Sequence, residues 1–343
     1  MTAGIEMGIG TDSDLAWEAK VAGGEITAIA VRGGDSGCVV VATEEGSVWW
    51  VEAEGTVAAS TSTAVDVPIR VAVHPSRDQI AVAGARGYAV WSLPGEVRSD
   101  GGTAWSNAVA YNAHGDLAVA TGKQVLILPD SGEEAYVSED APSTITDVVW
   151  SSRDNHVLAS AYGGVYVHNG RLPAPVHTFP YAGSHLQVAP NPNGKWVCSG
   201  NQDSTVHIWR TADNDELTMS GYPEKVTRLA FDRTGQWLAN NGAPDLTVWD
   251  FAGKGPRGRQ PRQLEGHERV VDLDWNPARN NILASVGSEG TARVWDITGM
   301  AAGRSRTAKQ KLPFDDARAL RWLDGNLLVV VRGGGVLSLV RSR

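Results

Sequence analysis

Residues able to do covalent chemistry are few in this 343-residue chain, and they are scattered. Gly34-Asp35-Ser36-Gly37 offers a hydroxyl in a nucleophile-like setting. No His or buried Asp is placed to activate it, so two polar residues between two glycines read as a hairpin turn. Of the eight His, His74, His114 and His156 fall in turns between a first and a second strand, and His207 falls in a third strand. No two of them stand at metal-ligand spacing. Cys38 and Cys198 lie in the second strands of distant units and read as small buried apolar residues, too far apart to bridge. No Gly-rich loop carries a Lys to cradle phosphate, and no paired carboxylates stand out at strand ends. Neither an enzyme, a metal site nor a cofactor is expected.

Cations, by contrast, cluster. The net charge of −9 divides unevenly: residues 1–150 hold seven Lys/Arg against twenty-one Asp/Glu, and residues 151–343 hold twenty-three against eighteen. The basic excess concentrates in two segments. One carries Lys254, Arg257, Arg259 and Arg262, the other Arg304, Arg306, Lys309 and Lys311. Both connect a third to a fourth strand in neighbouring units and should emerge side by side, as a docking patch for an acidic protein. Nucleic acid is a poor fit, because the segments lack interleaved aromatics for base stacking and the whole chain is acidic.

The elements that must position these residues follow from a repeat. Trp50, Trp91, Leu128, His168, Trp209, Trp249, Trp295 and Leu339 recur at intervals of 37 to 46 residues. A second ladder keeps the same beat: Val31, Val73, Tyr111, Trp150, Pro190, Phe231, Trp275 and Trp322. Within each unit a strand with period-2 alternation, a polar turn, a continuously apolar strand, a Gly turn and a third strand follow one another. A small sheet of this kind buries its faces only by stacking on the next, and a ring of such sheets has no ends. Eight groups of three strands begin near Glu25, Val67, Trp105, Ile145, Ser184, Lys225, Arg269 and Asp316. The last lacks an outer strand, and residues 15–22 (LAWEAKVA) look like it. One domain over residues 1–343 is expected.

Trp249-Asp250 and Trp295-Asp296, with Gly266-His267 opening a unit, resemble the WD-repeat (Trp-Asp repeat) β-propeller family. The resemblance implies an all-β propeller closed by the N-terminal strand. Eight four-stranded blades are the expectation here and seven, the commoner number in the family, the alternative. It also implies a buried hydrogen-bonded set in each well-formed blade. The seventh unit supplies His267, Ser285 and Trp295, with Glu289 in place of the usual Asp. The fifth supplies Ser199, Asp203 and Trp209, with Tyr181 where the His should be.

The same resemblance places a rim around the central channel, formed by Glu25, Thr27, Arg86, Trp105, Asn107, Lys123, Tyr162, Lys225, Thr227, Arg269, Arg318 and Arg332. Trp105 and Tyr162 among cations resemble a protein-binding hot spot. The expected function is a non-catalytic scaffold that presents loop surfaces to protein partners. The alternative is a small-anion-binding or enzymatic propeller, with Arg86, Lys123, Arg269, Arg318 and Arg332 at the channel mouth. Trp49 is expected to be exposed, and Trp17 to pack on the last blade. The N-terminal residues 1–14 lack a basic start and an apolar core, which points to the cytoplasm. A monomer is expected, and abundant Ala and Gly with Arg in excess of Lys suggest a bacterial source.

Overall fold

The computed structural model describes residues 7–8, 14–34, 37–62, 65–93, 96–100 and 104–342. Asp35 and Ser36 of the nucleophile-like turn lie outside them, as does most of the N-terminal stretch 1–13. The described chain is built of strands, antiparallel except where Ser305–Thr307 joins Arg262–Glu265, with one 3-10 turn at Gly333–Gly335.

The unit near Glu25 shows how each repeat is made. Ile26–Arg32 pairs with Cys38–Thr43, that strand with Ser47–Glu52, and that in turn with Val57–Ser62. The second strand, CVVVAT, is buried on both faces because sheets stack on both sides of it, so its sequence is continuously apolar. The outer strand, VAASTS, alternates half-buried and exposed residues, as a sheet edge facing water does.

Successive repeats stack face to face, and apolar side chains between each pair form one buried cluster. Val40, Ala42, Val48 and Trp50 of the first repeat meet Val71, Ile80, Val82 and Trp91 of the second. At about 25 cal/mol per Å² of apolar surface removed from water, such interfaces are the main source of stability in the ring. Ladder tryptophans add a polar link between neighbours. The indoles of Trp150, Trp275 and Trp322 donate to the carbonyls of Ala110, Ala230 and Asp274, each in the preceding repeat, at 2.8, 3.0 and 3.2 Å.

The ring closes through Leu15–Lys20, which pairs with Val336–Arg341 and completes the last sheet. Trp17 packs there with Val329 and Leu339, and its indole donates to Ala53 of the first repeat at 2.8 Å. Trp49 is not exposed. The same closing segment covers it, and its indole donates to the Ala22 carbonyl at 3.0 Å.

Among the described residues eight separate four-stranded blades do not form; the strands assemble into seven sheets, the alternative number. The fourth and fifth repeats share one six-stranded sheet, because His177–Pro190 runs unbroken from the outer edge of one repeat to the inner edge of the next. Residues 177–184 pair with Val157–His168, and residues 185–190 pair with Trp196–Asn201. The link between the repeats, Tyr181 to Ser184, contains no turn that would break the extended backbone. Val157–His168 also changes partner midway, at Gly163 and Gly164 (φ 90 and 154). A Cβ on Gly164 would stand 2.4 Å from the Phe179 carbonyl oxygen, so only glycine fits. Seven sheets therefore carry eight sequence repeats.

Candidate functional site

The turn after each second strand hydrogen-bonds to the entry of its own repeat's first strand. Ala85 N donates to Asp66 O at 2.8 Å, Gly122 N to Trp105 O at 2.9 Å, and Ser288 N to Arg269 O at 2.8 Å. The two sets of residues expected at the rim thus lie together on one face. In the second, third and fourth repeats this face carries Val67, Trp105 and Tyr162, exposed by 52, 52 and 53 %. Sequence reasoning missed Val67. Its φ of 44 is unusual for a β-branched residue, and strain of this kind collects at functional surfaces. Arg86 flanks it, paired with Asp66 at 2.9 Å, and Lys123 is exposed in the corresponding turn of the next repeat.

The remaining rim residues divide. Lys225, Arg269 and Arg318 are exposed, Arg269 lying 4.0 Å from Glu224. Asn107 is half-buried, and its amide donates to the Ile145 carbonyl at 2.7 Å. Arg332 is not a free rim cation. Its guanidinium bonds Asp316 and Glu18 of the closing strand, both at 2.7 Å, and lies 4.8 Å from the Phe314 ring centre. Burial works against its charge, but those two carboxylates outweigh it and hold the guanidinium above its ordinary pKa. Arg86, Lys123, Arg269, Arg318 and Arg332 therefore form no common anion site, and only Arg318 lines the channel cavity.

Deeper in the channel lie charges that the sequence reading passed over. The third residue before the second-ladder position is Arg70, Asp147, Arg228 and Asp272 in the second, fourth, sixth and seventh repeats. Arg321, one residue before Trp322, joins them. The signal was available as isolated charges inside otherwise apolar inner strands such as PIRVAV. Arg321 donates to Asp272 at 2.7 Å, Arg228 Nε lies 3.5 Å from the same carboxylate, and Arg70 lies 3.7 Å from Asp147. Burial pushes the Asp147 carboxyl up and that of Asp274 to about 6.

The two basic segments do meet. Ser305–Thr307 adds in parallel to Arg262–Glu265 as a fifth strand of the sixth repeat's sheet. Half of their cations, however, are spent holding the fold. Arg257 pairs with Asp215 at 3.0 Å and Arg259 with Asp250 at 2.7 Å. Arg262 donates to the Met300 carbonyl at 2.6 Å and covers Trp237 at 4.4 Å, while Arg306 donates to the carbonyls of Asp296 and Thr298. Lys254, Arg304, Lys309 and Lys311 are exposed.

In the seventh repeat the buried set is continuous. Trp295 Nε1 donates to Ser285 Oγ at 2.7 Å, Ser285 meets His267 Nε2 at 2.8 Å, and His267 Nδ1 meets Glu289 at 2.6 Å. Burial alone would raise the Glu289 carboxyl; hydrogen bonds from His267 and Thr291 outweigh it and bring the pKa to about 2. In the fifth repeat the expected grouping does not hold. His185, not a residue at position 181, meets Ser199 at 2.8 Å; Tyr181 donates to Asp203 at 2.6 Å; and Trp209 donates to the Pro180 carbonyl at 3.3 Å. The continuous strand from His177 to Pro190 carries the imidazole to a position that the sequence offset did not anticipate.

Residues 174–210 and 258–296 match the family model described as WD domain, G-beta repeat. They span the two repeats whose buried sets were just described. The chain is a β-propeller that carries WD repeats. Over 114 residues the WD-repeat chain is 28 % identical to the nuclear distribution protein PAC1 of Candida albicans, a match covering 31 % of this chain and 22 % of that protein. Over 131 residues it is 27 % identical to the ribosome biogenesis protein WDR12 homolog of Anopheles gambiae, covering 36 % of this chain and 30 % of that protein. The WD-repeat chain thus matches less than a third of either relative's length, and both relatives are eukaryotic. The solved Dos1 propeller superposes with a TM-score of 0.76 at 14 % identity, covering 94 % of this chain and 93 % of the other, a likeness of fold. WD-repeat propellers generally act as non-catalytic protein-interaction scaffolds. Among the described residues, no helix is long and apolar enough to cross a membrane.

Proposed function

We propose that this propeller is a non-catalytic interaction platform whose docking face is the rim of the second to fourth repeats. The observation that carries the reading is the run of Val67, Trp105 and Tyr162, three large apolar side chains about half exposed on one face of adjacent repeats. Isolated exposed apolar residues are ordinary, but an aromatic pair flanked by Arg86 and Lys123 has the composition of a binding hot spot. The partner is a cytoplasmic protein that offers apolar side chains beside acidic ones, and the propeller itself is monomeric. The exposed remainder of the basic segments, Lys254, Arg304, Lys309 and Lys311, is a secondary contact for the same acidic partner. A stiff ring suits such a role because its loops are held at fixed separations.

The test is affinity capture from the native host with wild type, Trp105→Ala/Tyr162→Ala and Lys254→Glu/Arg304→Glu chains. Loss of two hot-spot aromatics should weaken the captured partner by about 30-fold or more, or about 2 kcal/mol. The charge reversal should weaken it only a few-fold. A partner retained equally by the aromatic variant sinks the rim assignment.

A further inference from the structure

The central channel narrows to a cavity of about 170 Å³ whose lining includes Arg70, Arg228, Arg318 and Arg321, with Asp272 the one carboxylate among them. Four guanidinium groups from three different repeats, two of them on the strand Ala317–Trp322, thus face one small space. Asp147 and Asp274 stand behind this lining, close to Arg70 and Arg321.

The guanidiniums are unevenly satisfied. Arg321 is engaged by Asp272 at 2.7 Å. The Arg70 guanidinium makes no hydrogen bond to a described residue; its nearest carboxylate oxygen is 3.7 Å away. Arg228 donates one N–H to the Thr227 carbonyl at 3.1 Å, while its buried Nε and the Oδ1 of Asp272 are left without a hydrogen bond. Arg318 forms no ion pair among the described residues and is exposed at the mouth. Buried polar groups left unmatched are costly, and a ligand or ordered water is the usual remedy. Mutual repulsion adds to this. Burial and the fields of Arg228 and Arg321 push the Arg70 guanidinium below its ordinary pKa, although Asp147 opposes the shift.

We infer that this cavity is a site for the phosphate group of a small anion, gripped by Arg70 and Arg228, backed by Arg321 and closed at the mouth by Arg318. The choice of phosphate follows from shape and charge. A guanidinium presents a planar fork of donors, and several forks arriving from different directions match the four oxygens of a tetrahedral dianion. A carboxylate, with two oxygens in one plane, would satisfy one fork and leave the others repelling. The cavity is large enough for the free ion or a small monoester, whose organic part would point out past Arg318. This site lies deeper than the rim and does not depend on the docking assignment.

Titration calorimetry and thermal melts of the full chain test the inference, with inorganic phosphate, glycerol phosphate and acetate compared at constant ionic strength. One equivalent of phosphate should bind and raise Tm, with acetate at least 10-fold weaker. Arg70→Gln should weaken phosphate at least 10-fold, and Arg318→Gln, an exposed substitution that leaves the core untouched, about 3-fold. Trp105→Ala on the rim should leave phosphate binding unchanged. Preference for glycerol phosphate would assign the ligand as a monoester, preference for the inorganic ion as free phosphate, and either supports the site. Absence of binding by the folded wild type, equal binding of acetate, or unchanged affinity in both arginine variants overturns it.

Discussion

A single hydroxyl, Ser285 Oγ, joins an imidazole to an indole in the interior of the seventh repeat. Removing it leaves two buried nitrogens without a partner, and each such group costs about 1–3 kcal/mol. Ser285→Ala should therefore destabilise the propeller by about 2 kcal/mol or more in urea titration. Ser199→Ala should cost a similar amount: Trp209 keeps its bond to the Pro180 carbonyl, but His185 Nδ1 and the buried Asn201 Oδ1 both lose Ser199 Oγ. A neutral effect at either site would contradict this. The difference between the two repeats was only partly legible in the sequence. His267, Ser285 and Trp295 stand at the offsets expected of the family and meet as expected. His185 does not stand at its offset, and no spacing rule would have paired it with Ser199. Two arginines of the basic segments escaped for a related reason: Asp215 and the Met300 carbonyl, which hold Arg257 and Arg262, come from neighbouring repeats. Pairing that depends on how repeats stack is invisible to a reading made one repeat at a time.

At the scale of the element, the inner strands were the most legible part of the chain, because their alternation and the Trp275-type anchor recur whatever the turns between them do. The strand of residues 15–20 was legible as a piece missing from the last repeat. Its effect on Trp49 was not, since nothing in that strand shows that the residues just after it cross the first repeat's third strand. The merger of the fourth and fifth repeats was hidden too, because the link from Tyr181 to Ser184 gives no local sign that it stays extended. Closure of the last sheet rests on Trp17, buried against both the last and the first repeats, and on the Arg332–Glu18 pair. Trp17→Ala should cost about 3–5 kcal/mol. It should also loosen Leu15–Lys20 enough to bare the edge of Val336–Arg341, a template for pairing with another chain. Size-exclusion chromatography should then show concentration-dependent oligomers. A variant that is destabilised yet stays monomeric at all concentrations would show that the edge is protected by something other than this strand.

For the molecule as a whole, the interior of the ring sets a pH dependence distinct from that of the acidic surface. The Asp274 carboxyl titrates near 6 in the folded chain, against an ordinary value of 3.8, because burial outweighs the pull of Arg321. The folded state holds this proton more tightly than the unfolded one. The group is therefore neutral at no cost below about pH 4, and its contribution is lost as pH rises from 4 to 6, by about 2–3 kcal/mol. Asp274→Asn should gain on wild type by that amount between pH 4 and pH 7, measured by chemical denaturation at both. Parallel stability curves for the two proteins would rule the effect out. Neither the repeat nor the net charge foretold it, because a carboxylate in a strand reads as a solvated edge until neighbouring strands are known to surround it.

The pairing of Leu15–Lys20 with Val336–Arg341 also fixes an order of events during synthesis. The first of these strands leaves the ribosome more than 300 residues before the second, so the ring cannot shut until the second has been made. Until then every growing chain carries two unpaired strand edges in search of a partner. At a few to some twenty residues per second, that interval lasts roughly 15 to 60 s. A shortened or stalled product never leaves this state, and for the cell such open rings, rather than the finished one, are the species to hold apart or degrade.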